Sequence, residues 1–135
     1  MDFESINVNL LERGKNILNS VLRIHEEDPK DCDNVFLELH CRRKIIGKSA
    51  GDYFSAMQAI RRVLELDGIQ MLCNGAAKNV YPSPMQRTGS NAYILEQGCP
   101  ATLSNVVSIF DKSDGLDFVN VDEQELYYSN WIKSL

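Results

Sequence analysis

Apolar and polar residues alternate from Val35 to Arg42, with Val35, Leu37, Leu39 and Cys41 on one side and Phe36, Glu38, His40 and Arg42 on the other. A period of two is that of a strand with one face buried, and the pattern lets this strand run on to Ile46. The period then changes to that of a helix. Tyr53, Met57, Ile60 and Leu64 recur at helical intervals between Ser49-Ala50-Gly51-Asp52, which has the spacing of an N-cap with an acid three residues on, and Asp67-Gly68, which supplies a stop. The other face carries Asp52, Gln58, Arg61, Arg62 and Glu65, so this helix is expected to lie on the surface of a sheet.

Ser20 to His25 is the candidate antiparallel partner of the 35–41 strand, because Glu26 to Asn34 is a polar, proline-containing connector. Residues 3 to 18 carry no decisive pattern. Downstream, Ile69 to Cys73, Ala92 to Glu96 and Val106 to Phe110 are apolar runs of strand length bounded by Gly, Pro, Asn or Asp. From Asp122 to Leu135 a cap at Asp122, with Glu125 three residues on, precedes an apolar stripe of Tyr127, Tyr128, Trp131, Ile132 and Leu135, which predicts a second amphipathic helix. Together these elements predict an α+β fold in one domain over residues 1–135: a mainly antiparallel sheet with a central amphipathic helix and a C-terminal helix packed on one face.

Composition narrows the class. A chain of 135 residues that is 44% hydrophobic and 24% charged is globular rather than disordered, and this length buries roughly two thirds of the unfolded surface. No apolar run approaches the roughly 20 residues of a membrane span, and Met1-Asp2-Phe3-Glu4 opens acidic rather than with the basic and apolar regions of an export signal. A cytoplasmic location away from membranes is therefore expected, with Cys32, Cys41, Cys73 and Cys99 as free thiols. A net charge of −5 argues against a nucleic-acid partner and favours encounter with a basic protein.

Candidate chemistry is sparse. Gly47-Lys48-Ser49 resembles the end of a phosphate-binding loop, but Arg42 stands where the first glycine belongs and Arg43 to Ile46 read as strand, so a cap and a turn explain it. The cysteines form no Cys-x-x-Cys pair, and His40 and Cys41 point to opposite faces of one strand, so neither a metal nor a cofactor is expected. Glu26, Glu27, Asp28, Asp31 and Asp33 lack the ligand order of a calcium loop and read as a solvated, flexible hairpin tip. Cys73 could be paired with His25 or His40 as nucleophile and base, but strand cysteines are ordinarily small buried hydrophobes. Arg42-Arg43-Lys44 reads as a solvated edge.

The segment from Asn74 to Asn91 is the most distinctive. It is long for a connection between strands, and Tyr81-Pro82-Ser83-Pro84 within it should be extended. Tyr81, Met85 and Arg87 then form an aromatic, adaptable and cationic contact set, or else Tyr81 and Met85 pin the loop to the core.

Three stretches resemble a family of small bacterial proteins from interbacterial toxin loci, of the contact-dependent growth inhibition immunity type. They are Ser49-Ala50-Gly51-Asp52-Tyr53-Phe54 with Ile60-Arg61-Arg62; Leu72-Cys73-Asn74-Gly75 with Asn79-Val80-Tyr81-Pro82-Ser83, Met85 and Arg87; and Val107-Ser108-Ile109-Phe110-Asp111 with the helix around Trp131. The likeness spans residues 49–135 and departs from its relatives at the short Thr88-Gly89-Ser90-Asn91. It implies a non-catalytic protein that binds and covers a cognate toxin in the cytosol. A basic toxin suits the acidic charge. The contacts implied are Glu26, Glu27, Asp28, Asp31 and Asp33 at the hairpin tip, Tyr81, Met85 and Arg87 in the loop, and Asp111, Asp114 and Asp117. The alternative is a small-molecule or nucleotide-handling enzyme with a pocket under the 74–91 loop lined by Cys73, Asn74, Asn79 and Arg87.

Overall fold

The structure, a computed structural model, describes residues 3–113 and 115–135. The alternating runs build its larger sheet. β1 (Glu4–Glu12) and β2 (Asn16–His25) form a hairpin, and the 26–34 connector leads from β2 into β3 (Val35–Cys41). β3 turns at Arg42-Arg43 into β4 (Lys44–Ala50), and α1 (Tyr53–Glu65) carries the chain back to β5 (Ile69–Met71) on the far edge. The strand order is β4-β3-β2-β1-β5, antiparallel throughout. The register sets Leu22 opposite Leu39, Ile24 opposite Leu37 and Leu10 opposite Leu18, so one face is apolar. Phe54, Met57, Ile60 and Leu64 of α1 are buried in the cluster that this face forms. Each such side chain contributes about 1.5–3 kcal/mol on full burial.

A smaller antiparallel sheet follows, β6 (Val80–Tyr81), β7 (Asn91–Ile94) and β8 (Val106–Ser108), and α2 (Val121–Ser134) closes the chain. The fold is α+β, as its pattern predicts. Val80, Ala92 and Ile109 join Leu10, Met57 and Met71 in one apolar cluster, so the two sheets share a core. Gly75 sits at the junction, where a Cβ would come within 2.6 Å of the Met57 sulfur and 2.9 Å of Ile109 Cβ. Among the described residues no helix is long and apolar enough to cross a membrane.

Several expectations are corrected. The 35–46 run is two strands, because Arg42 takes a positive φ of 56° and reverses the chain. Ser49 and Gly47-Lys48-Ser49 lie in β4 rather than in a cap or loop. The N-cap of α1 is Asp52, whose carboxylate accepts from the Ser55 N–H at 2.8 Å. Asn120 rather than Asp122 caps α2, accepting from the Glu123 N–H. Within residues 3 to 18, Glu4–Glu12 is β1, residues 13–15 are a turn, and β2 starts at Asn16. The 74–91 segment contains two 3-10 turns, at Asn74–Ala76 and Gln86–Thr88, and strand β6 between them. Arg61 is 3% exposed rather than on an open face, because α1 is covered on a second side by α2 and the chain near Gly75. Ile132 and Leu135 stay exposed, since α2 packs through Val121, Gln124 and its aromatic residues instead.

Candidate functional site

One end of the larger sheet gathers the start of β1, the end of β2, the acidic connector, the N-terminus of α1 and the segment after β8. Residues from these elements, with Ser90 of the 74–91 segment, surround a depression of about 470 Å³. Tyr53 and Phe110 supply aromatic walls, edge-on at 5.6 Å between centroids, and Phe3 borders the rim. Glu4 and Glu26 supply carboxylates. Pairing of Glu4 with Ile24 brings these two acids to neighbouring strand ends. The Tyr53 hydroxyl is held above its ordinary pKa by burial and then by the charges of Glu26 and Glu4. The Phe3 ring itself lies against Arg23, whose guanidinium is 4.9 Å from its centroid, and against His25 at 5.0 Å between centroids.

The connector above the depression is organised by its own carboxylates. Asp28 accepts from the Lys30 N–H at 3.0 Å, and Asp31 accepts from the Asp33 N–H at 3.1 Å and the Asn34 amide at 2.8 Å. The Asp28 and Asn34 backbones are joined at 2.8 Å, so the tip has a defined hydrogen-bonded form. The Lys30 N–H, and then the Ser49 hydroxyl, hold Asp28 below its ordinary pKa. These bonds use Asp28 and Asp31 internally, whereas Glu26, Glu27 and Asp33 are exposed. Asp111 is exposed next to the Phe110 wall. Asp117 is exposed elsewhere, its carbonyl accepting from the Lys78 N–H beside Asn79 and Tyr127. Asp114 lies outside the described residues.

The loop candidates separate. Met85 is 86% exposed, whereas Tyr81 is only 8% exposed, edge-on to Phe54 and stacked on Tyr128 at 3.8 Å. The Tyr81 hydroxyl donates to Glu125 at 2.8 Å, and its pKa is pushed up to about 12 by burial and then by Glu125. Arg87 donates to Asp52 at 3.3 Å, to Ser55 at 3.3 Å and to the Tyr81 oxygen at 3.2 Å, and its guanidinium lies 5.4 Å over both the Phe54 and Tyr81 rings. Tyr81 and Arg87 therefore pin the segment to α1 and α2. Met85 is left as its exposed apolar side chain.

The groups of the enzyme alternative are dispersed. Cys73 is 1% exposed beside the Met57 sulfur at 4.0 Å, and burial pushes its thiol up to about 11. Asn74 donates to the Ser108 carbonyl and Asn79 to the Leu95 carbonyl, each closing the backbone around it. Cys73 and Asn79 border different depressions. His25 is buried, with Nε2 at 2.7 Å from Glu38.

The sequence does not group Glu4, Tyr53 and Phe110: Glu4 falls in the stretch without a decisive pattern, Tyr53 on the apolar stripe of the helix, and Phe110 at the end of an apolar run. No family model matches this chain, and no curated protein matches it. Chemically, paired carboxylates beside aromatic faces are an environment for a cationic side chain, combining charge attraction with cation–π contact.

Proposed function

We propose that this chain is a cytoplasmic immunity protein that binds a basic cognate toxin stoichiometrically and blocks it by coverage, without catalysing a reaction. The observation that carries the reading is the acidic end of the larger sheet, where Glu4 and Glu26 meet the Tyr53 and Phe110 walls near the exposed Glu27 and Asp33. A lysine or arginine projected by the partner fits this depression, and the surrounding carboxylates provide a rim that attracts a basic surface and sets its orientation. Met85 supplies an adaptable apolar contact for part of that surface. The resemblance of residues 49–135 to immunity proteins of toxin loci supports the same reading. The internal engagement of Asn74, Asn79 and Arg87 favours binding over turnover.

The test is co-expression with the product of the gene immediately upstream in cells sensitive to it, followed by titration of the purified pair. Expected are protection of growth, one-to-one binding, and loss of both on the double substitution Glu26→Lys and Glu27→Lys. Absence of protection, or protection at far below stoichiometric amounts, overturns the proposal.

A further inference from the structure

The end of the larger sheet away from the acidic depression carries the opposite charge. Three turns meet there: Arg13-Gly14 between β1 and β2, Arg42-Arg43 between β3 and β4, and residues 66–68 between α1 and β5. The Arg13 N–H donates to the Gly68 carbonyl at 2.8 Å and ties the first turn to the third. The turns enclose a cavity of about 450 Å³. Its floor is Leu18, Cys41, Ile46, Leu64 and Ile69. Its mouth carries Arg13, Arg42, Arg43 and Lys44 against two acids, Glu12 and Asp67.

The two acids leave this mouth positive. Arg42 approaches Glu12 at 3.5 Å and Lys44 approaches Asp67 at 3.4 Å, whereas among the described residues Arg13 and Arg43 reach no carboxylate within 4.0 Å. The backbone adds a second observation. Arg13 and Arg42 are the non-glycine residues with positive φ among those described, at 52° and 56°. That region costs an L-residue about 1–2 kcal/mol, and glycine or asparagine fills such hairpin positions with less strain. Both strained positions place an arginine at the mouth of the same cavity, in a chain whose net charge is −5.

We propose that this cup binds an anionic amphiphile, one molecule at a time, with the hydrocarbon body on the apolar floor and the carboxylate, sulfonate or phosphate head at the arginine mouth. Guanidinium groups match such heads by bidentate hydrogen bonding. The volume lies within the range of about 300–1,000 Å³ usual for small-molecule sites. A nucleic-acid backbone would use the mouth and leave the floor empty. A free amphiphile and a lipid headgroup share this chemistry, and the experiment separates them.

Cys41 reports on the floor. In the full chain carrying Cys32→Ser and Cys99→Ser, the remaining thiols are Cys41 and the fully buried Cys73, so alkylation by iodoacetamide at neutral pH reads Cys41. Monomeric decanoate should slow that alkylation about tenfold at saturation, with decanol at the same concentration markedly weaker, because only the acid engages the mouth. Arg42→Gly should lose the protection by decanoate without lowering the melting temperature, since glycine adopts φ 56° without strain. Three results overturn the proposal: no protection by decanoate, equal protection by decanol, or undiminished protection in Arg42→Gly combined with Arg43→Gln. Protection by phosphatidylglycerol vesicles without protection by monomeric decanoate also overturns it, in favour of a membrane surface.

Discussion

Arg61 carries its charge at 3% exposure, and among the described residues no carboxylate lies within 4.0 Å of it. Burial lowers its pKa, yet a guanidinium remains protonated in a folded protein. The charge is met by oxygens instead. Arg61 donates to the Gly75 carbonyl at 3.3 Å, to the Val119 carbonyl at 2.8 Å and to the Gln124 side-chain oxygen. The Gln124 amide nitrogen shares its two hydrogens among the carbonyls of Gly75, Ala77 and Val80, at 2.9, 2.9 and 3.1 Å. One fully buried glutamine thus links α1, α2 and the chain leading into β6 through Val80. Gln124→Leu strips an acceptor from a buried charge and a donor from three carbonyls, and should cost about 3–5 kcal/mol by denaturant unfolding at unchanged m-value. With Arg61→Met added, the loss should fall short of the sum of the two single losses. Cys73 makes a separate prediction. Its folded pKa is raised from 9.0 to about 11, so its contribution is fully present below pH 9 and is lost as pH rises toward 11, where the unfolded thiol ionises and the folded one resists. Melting temperature against pH should show an alkaline fall that shrinks in Cys73→Ala, the missing part amounting to about 2–3 kcal/mol.

At the scale of elements, local period was legible and long-range partnership was not. The alternation of Val35 to Cys41 and the 3.6-residue spacing of Tyr53 to Leu64 survive intact because one face of each meets the same core. Arg61 was misplaced by that same periodicity, which sees one apolar face and cannot see that a second element covers another. The cap of α1 moved from Ser49 to Asp52 because Ser49 is held in β4 opposite Phe36, leaving Asp52 as the first free acceptor ahead of the helix. β1 does alternate, Ile6, Val8 and Leu10 inward against Ser5, Asn7 and Asn9 outward, but serine and asparagine are poor strand formers and Arg13, at a positive φ ahead of Gly14, stands where asparagine would mark a hairpin. The acidic tip was visible as composition. The depression beneath it was not, since Phe3, Glu4, Tyr53 and Phe110 come from distant parts of the chain and only the sheet register brings them together.

The molecule as a whole is a charge dipole laid along its larger sheet. β1 runs from Glu4 at the acidic depression to Glu12 at the basic cup, and its nine residues at about 3.3 Å each put the two ends roughly 26 Å apart. That separation exceeds the Debye length of about 8 Å at physiological salt, so each end acts on its surroundings nearly independently. If a basic partner is steered to the acidic end, the place of a charge matters more than the net charge. Glu26→Lys with Glu27→Lys, and Glu12→Lys with Asp67→Lys, each remove two negative and add two positive charges, taking the net charge from −5 to −1. At about 0.15 M salt the first pair should slow association with the proposed basic partner about tenfold, and the second should leave it nearly unchanged, as read by stopped-flow fluorescence. Equal slowing by both pairs would assign the attraction to net charge and remove the acidic end as the docking surface. As salt is raised, the wild-type rate should fall toward that of the Glu26→Lys, Glu27→Lys variant, because screening removes the local field that the substitutions remove by chemistry.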